Sequence, residues 1–117
     1  MRTKQINLCG KLYWIAFSAQ SQMHMEAIRN APDFDLSKRG AEFAFETLVE
    51  ELRAGYRYAQ LTGQPANEPP TREDLADMIG EDDILAVMGD INEVAVGVRN
   101  VQAKPPKKKA DSATSAP

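Results

Sequence analysis

The chain has 117 residues, 43% of them apolar and 26% charged, with a net charge of −3 at pH 7 and one cysteine. That is room for one globular domain and a tail; a lone Cys9 excludes an internal disulfide and suits a reducing cytoplasm. The longest unbroken apolar run, Leu12 to Phe17, is too short to cross a bilayer, and Gln5, Asn7 and Lys11 break up any export signal, so the chain reads as soluble and unexported.

Residues 5–17 read as a β-hairpin. Ile6 and Leu8 alternate with polar neighbours, Cys9-Gly10-Lys11 offers the turn, and LYWIAF is rich in aromatic and branched residues. Alternation places Tyr13, Ile15 and Phe17 on one face and Leu12 and Trp14 on the other. A two-stranded ribbon is marginal in water, so it must lie on a helix or pair with another chain. Leu12 and Trp14 then either cap the helical core or meet a second subunit.

Ser18 is placed to cap a short helix, AQSQMHMEAIRNA, which Pro32 ends. Met23, Ala27 and Ile28 fall at inward-facing positions, with Met25 nearby. His24 is the single histidine. No second ligand stands at metal-binding spacing, so it reads as a partly exposed helix residue. Phe34 is expected to pin the following loop into the core.

The stretch from Leu36 to Gly63 is the element around which the chain is organised. Ala41, Phe45, Leu48, Val49, Leu52, Tyr56 and Ala59 recur at steps of three and four, predicting one face of a helix of about 24 residues, roughly 36 Å long. Ser37 is the expected N-cap and Gly63 the left-handed stop. Glu50 and Glu51 fall with Glu42, Glu46, Arg53 and Arg57 on the opposite, solvated side. Phe43 lies about 160° around the axis from Phe45. Either the helix is covered on two sides or Phe43 meets a partner.

Three prolines within residues 64–70 exclude helix and paired strand, leaving an extended linker. Thr71 and the acids after it start a short helix that closes at Gly80; Glu81-Asp82-Asp83 starts another. In that last helix Ile84, Val87, Met88, Ile91, Val94 or Ala95, and Val98 make a stripe. Gly89 and Gly97 weaken it, and either allow close helix contact or leave the end free to fray. From Lys104 no large apolar residue remains, so the tail is expected to be disordered. The expected architecture is mainly α: a small helical domain, residues 1–103, with an N-terminal β-hairpin, and a disordered Pro/Lys/Ser-rich tail, residues 104–117.

The acids cluster as Glu50-Glu51, Glu73-Asp74 and Glu81-Asp82-Asp83. Helix starts and a solvated face account for them without a site. Serines and threonines lack a histidine partner, no glycine-rich phosphate loop exists, and Cys9 has no activating base. No catalytic, cofactor-binding or metal-binding residues are assigned, and an enzyme is not expected. Residues 64–103 carry nine acids against Arg72 and Arg99, which argues against a grip on phosphate backbones. Four lysines in the tail, without arginine or aromatic neighbours, give only weak, salt-sensitive binding.

The order of parts resembles the tail assembly chaperones of long, flexible-tailed (siphovirus-type) bacteriophages and related prophages. The features are KLYWIAF, a long helix running into AGYRYAQLTGQ, the linker PANEPPTREDL, a small acidic helical end and the tail AKPPKKK; the fullest local match is GYRYAQLTGQPANEPPTREDLADMIGEDD. The resemblance spans most of residues 8–109, although residues 18–34 carry no matching motif. It implies a non-enzymatic, homo-oligomerising protein of the host cytoplasm, absent from the mature virion. Such a protein binds and solubilises the tape measure protein and helps recruit tail tube protein, mainly through a longer frameshifted product. The chain would then be the short, pre-frameshift product, with a slippery codon run at Lys107-Lys108-Lys109. No cofactor is implied. Off-face apolar residues Leu12, Trp14, Phe43 and Tyr58 are the candidate partner contacts. The alternative is a small helical regulator binding nucleic acid through its basic tail, and a third reading is a generic adaptor or virion subunit.

Overall fold

The computed structural model describes residues 1–99, with side chains through Ala95. It is mainly α: strands β1 (Thr3–Leu8) and β2 (Lys11–Ala16) precede helices α1 (Ala19–Arg29), α2 (Leu36–Thr62), α3 (Arg72–Met78) and α4 (Glu81–Arg99). The expected hairpin is present. Its strands run antiparallel in register from Thr3↔Ala16 to Leu8↔Lys11. Cys9 and Gly10, both at positive φ (54° and 82°), form the two-residue turn whose twist suits the strands. Ile6, Leu8, Tyr13 and Ile15 point inward and are buried, while Leu12 is 51% exposed on the outer face.

Ser18 caps α1 as expected, its Oγ accepting from Ser21 N at 3.2 Å. The inward stripe of α1 differs from the expected one. Ser21 and Met25 are buried and Ile28 half-buried, whereas Met23 is 62% exposed and Ala27 lies in solvent. The face is set by residues 21, 25 and 28, so polar Ser21 takes a buried place that apolarity alone assigned to Met23.

Helix α2 runs 27 residues. Its cap is Asp35, not Ser37: the Asp35 carboxylate accepts from Ser37 N at 3.1 Å and Ser37 Oγ at 2.7 Å. The extended backbone a cap needs occurs at Asp35, so Ser37 sits inside the first turn. A kink follows at Arg39 (φ −122°, ψ 29°). The helix stops at Gly63 (φ 72°), whose left-handed backbone lets Gln64 N return to Ala59 O at 2.8 Å.

Burial on α2 is broader than one stripe. Leu48, Leu52 and Ala59 are buried and Phe45, Val49 and Tyr56 half-buried as expected, but Ala41 is exposed. Glu50 and Glu51, expected in solvent, are both buried. The helix is covered on two sides because β2 packs along it while α1 and α4 pack elsewhere on its surface. Contact with β2 is closest at Gly55, where a Cβ would stand 2.1 Å from the Trp14 carbonyl oxygen.

The linker, residues 64–70, is irregular, as the prolines require. Thr71 Oγ1 caps α3 through Asp74 N (3.1 Å), and Leu75, 1% exposed, anchors that short helix. Asp83 accepts from Gly80 N at 2.9 Å, satisfying a free N–H at the start of α4. The α4 stripe is as expected: Val87, Ile91, Val94 and Ala95 are buried, and Ile84 and Met88 half-buried. Gly89 has open space around it and makes no close helix contact. The expectations for Val98, Gly97, the 103/104 boundary and the disordered tail fall outside the described side chains and residues.

Candidate functional site

Three of the four candidate contact residues come together. Alternation puts Leu12 and Trp14 on the outer face of β2, and α2 brings Tyr58 beside them. The Trp14 and Tyr58 rings lie 5.6 Å apart, tilted by 56°. Trp14 Nε1 donates to Pro65 O at 3.2 Å, and Asn67 Nδ2 donates to Leu12 O at 2.8 Å. The linker therefore folds back along β2 and takes up the polar groups of this edge. What remains outward is apolar: Leu12 at 51% exposure, the outer parts of Trp14 and Tyr58, and Leu61, 69% exposed and one turn beyond Tyr58 on α2.

Phe43 stands apart, about 22 Å from Tyr58 along the helix axis. It is half-buried, its ring 5.5 Å from that of Phe34, with the Arg29 guanidinium 5.2 Å above it. It borders a groove of about 280 Å³ between α1, α2 and α4. Phe17, Met25, Met88 and Ile91 share its apolar lining, and Gln22, Glu26, Arg29 and Asn92 add polar groups. Of the two alternatives posed for Phe43, the first holds: α2 is covered on two sides, and Phe43 also borders the groove.

The polar side chains that meet between the helices are used to tie those helices together. His24 Nδ1 donates to Glu50 Oε1 at 3.1 Å, and Arg53 binds the other Glu50 oxygen. Burial works against ionisation of Glu50, but hydrogen bonds from Arg53, His24 and Ser21 outweigh it and hold this carboxyl below the ordinary range. Ser21 is fully buried and bonded to Ser18, so the set joins α1 to α2 and leaves its hydroxyl no access to a substrate. Arg72 similarly binds Glu46 at 3.0 Å and lies 5.6 Å over the Phe45 ring, fastening α3 to α2. Among the described residues no group of three His, Cys, Asp or Glu side chains stands where it could hold a metal. No described helix is long and apolar enough to cross a membrane.

Glu51 is the residue that sequence reading missed. Its side chain is 0% exposed, and neither carboxyl oxygen has a hydrogen-bond partner among the described residues. Burial pushes its pKa up to about 9, so it is a neutral acid at pH 7. Helical spacing could have flagged it, since Glu51 lies between Leu48 and Gly55 on the strand-facing side.

No protein-family model, curated protein or solved structure matches the chain.

Proposed function

We propose that the chain is a tail assembly chaperone of a long-tailed bacteriophage or prophage, a non-enzymatic protein that covers apolar helical surface of the tape measure protein until tail tube subunits replace it. The order of sequence parts described above suggests this reading. The observation that carries it is the outward apolar surface formed by Leu12, Trp14 and Tyr58 on a fold whose buried polar clusters serve internal packing. A tape measure is a long helical rod, and its apolar stripes need cover before the tube surrounds them. Work of this kind uses surface and no reacting group. Recruitment of tail tube protein would fall mainly to a longer product made by frameshifting at the codons of Lys107–Lys109, residues outside those described. On this reading the chain acts in the host cytoplasm and leaves before the virion is complete.

The test is co-expression of the full chain with the very long helical reading frame expected downstream of its gene. The rod should stay soluble and co-purify with the wild-type chain. Leu12→Ser combined with Tyr58→Ser should release it into the pellet. A rod that is equally insoluble with and without the chain, or a gene with no open −1 frame after the lysine codons, would overturn the proposal.

A further inference from the structure

With a two-residue turn, Leu8 and Lys11 form the first hydrogen-bonded pair, and bonding alternates from there. Leu8, Ile6 and Lys4 direct their main-chain N–H and C=O groups at β2. Asn7, Gln5 and Thr3 direct theirs away from it. On β2 the outward groups belong to Leu12, Trp14 and Ala16, and that edge is closed. Asn67 occupies the Leu12 carbonyl, and the Trp14 carbonyl lies against Gly55. The β1 edge is open: among the described residues no group outside the hairpin bonds to the backbone of Thr3, Gln5 or Asn7.

Edges that stay single usually carry outward charge, proline or a bulge. This one has none of them. The register is unbroken from Thr3 to Leu8, and the side chains of Thr3, Gln5 and Asn7 are neutral. Lys4, the one charge in the strand, is an inward-pointing group of the kind that guards edges. It is turned down onto α4, 2.6 Å from Asp90 and 3.0 Å from Glu93, so it reaches the edge already matched.

We propose that β1 pairs antiparallel with β1 of a second copy of this chain about a two-fold axis at Gln5, joining two hairpins into one four-stranded sheet. The choice of occupant comes from the strand itself. About this axis Gln5 meets its own copy and Thr3 meets Asn7, so every outward pair is uncharged and able to hydrogen-bond. Roughly six main-chain bonds form, two at each facing pair. A two-stranded ribbon is the smallest and weakest sheet, and doubling it removes that weakness. Helix α4 packs against both strands of its hairpin, so in the joined sheet the two copies of α4 lie on the same face. The inference is independent of the chaperone reading, since it rests on the edge alone.

The experiment is analytical ultracentrifugation of the full chain from micromolar to millimolar concentration, with circular dichroism as a check on folding. Wild type is expected to dimerise in this range. Gln5→Lys and Gln5→Glu each place like charges opposite one another and should weaken the dimer at least ten-fold while leaving the helical spectrum unchanged. Mixing the two variants in equal amounts should restore a dimer, because residue 5 of one copy then faces its opposite charge. A wild type that is monomeric up to millimolar concentration overturns the proposal. So do dimers that neither substitution weakens, and a mixture that fails to recover when both variants are folded.

Discussion

Gly55 lies against the carbonyl of Trp14 so closely that a Cβ there would stand 2.1 Å from the oxygen and 2.6 Å from Ile15 Cα. Backbone meets backbone at this point, and no rotamer change can relieve the overlap. Alanine is better than glycine within a helix by about 1 kcal/mol, yet the clash dominates because α2 and β2 would have to separate. Gly55→Ala is expected to cost roughly 2–3 kcal/mol net, within the range for overpacking a core. Thermal unfolding measures it, and an unchanged or raised Tm would refute the close approach.

Glu51 makes stability fall as pH rises from about 4.5 to about 9. The unfolded carboxyl titrates near 4.5 and the folded one at about 9. Between these values the folded state keeps a proton that the unfolded state has lost, so stability falls as pH rises, by up to ~1.4 kcal/mol per unit. Glu50 works in the opposite sense: its depressed pKa supports the fold at neutral pH, and that support is lost on acidification. Glu51→Gln should flatten the decline between pH 6 and 9 in urea titrations, although its amide stays unpaired. Glu51→Leu should also raise stability at pH 7 by roughly 1–3 kcal/mol, the cost of a buried unpaired polar group. A decline equally steep in Glu51→Gln would show that another group causes it.

What was legible in the sequence was local. The Cys9-Gly10 turn, the Ser18 and Thr71 caps, the Gly63 stop and the proline linker each follow from backbone preferences within a few residues. The α4 stripe was legible because its periodicity is long and regular. Gly55 was not, since its meaning depends on β2 lying across α2, a contact between segments some 40 residues apart; Glu51 shares a helical face with Leu48 and Gly55, a signal that its charge overrode. A carboxylate is normally a sign of solvent, so binary patterning put Glu51 on the wrong side. For the candidate contacts, alternation separated Leu12 and Trp14 from the inward side chains, but only the fold brings Tyr58 to them and leaves Phe43 elsewhere.

Asp35 and Ser37 compete for one role, and the geometry assigns it to Asp35. Asp35→Ala should destabilise the fold by about 1 kcal/mol, the usual worth of an N-cap. Ser37→Ala, losing only an exposed hydroxyl bonded back to Asp35, should stay within about 0.5 kcal/mol of wild type. Chemical denaturation of both variants separates the assignments. A larger loss at Ser37 would mean that α2 begins two residues later.

Leu12 and Phe43 carry the contrast between surface and support. Leu12 is 51% exposed and spends its backbone carbonyl, not its side chain, on the fold. Leu12→Ser is therefore expected to change stability by less than about 0.5 kcal/mol. Any loss of partner binding in that variant would then be a direct effect of the missing side chain. Phe43 is half-buried between Phe34 and Arg29 and borders the groove. Phe43→Ala should cost roughly 1.5–3 kcal/mol, less than a fully buried aromatic because part of the ring is already in water. Partner binding and melting temperature measured together on the two variants distinguish the surfaces. If Leu12→Ser lowers Tm as much as Phe43→Ala does, the hairpin's outer face belongs to the core and is not free to meet a partner.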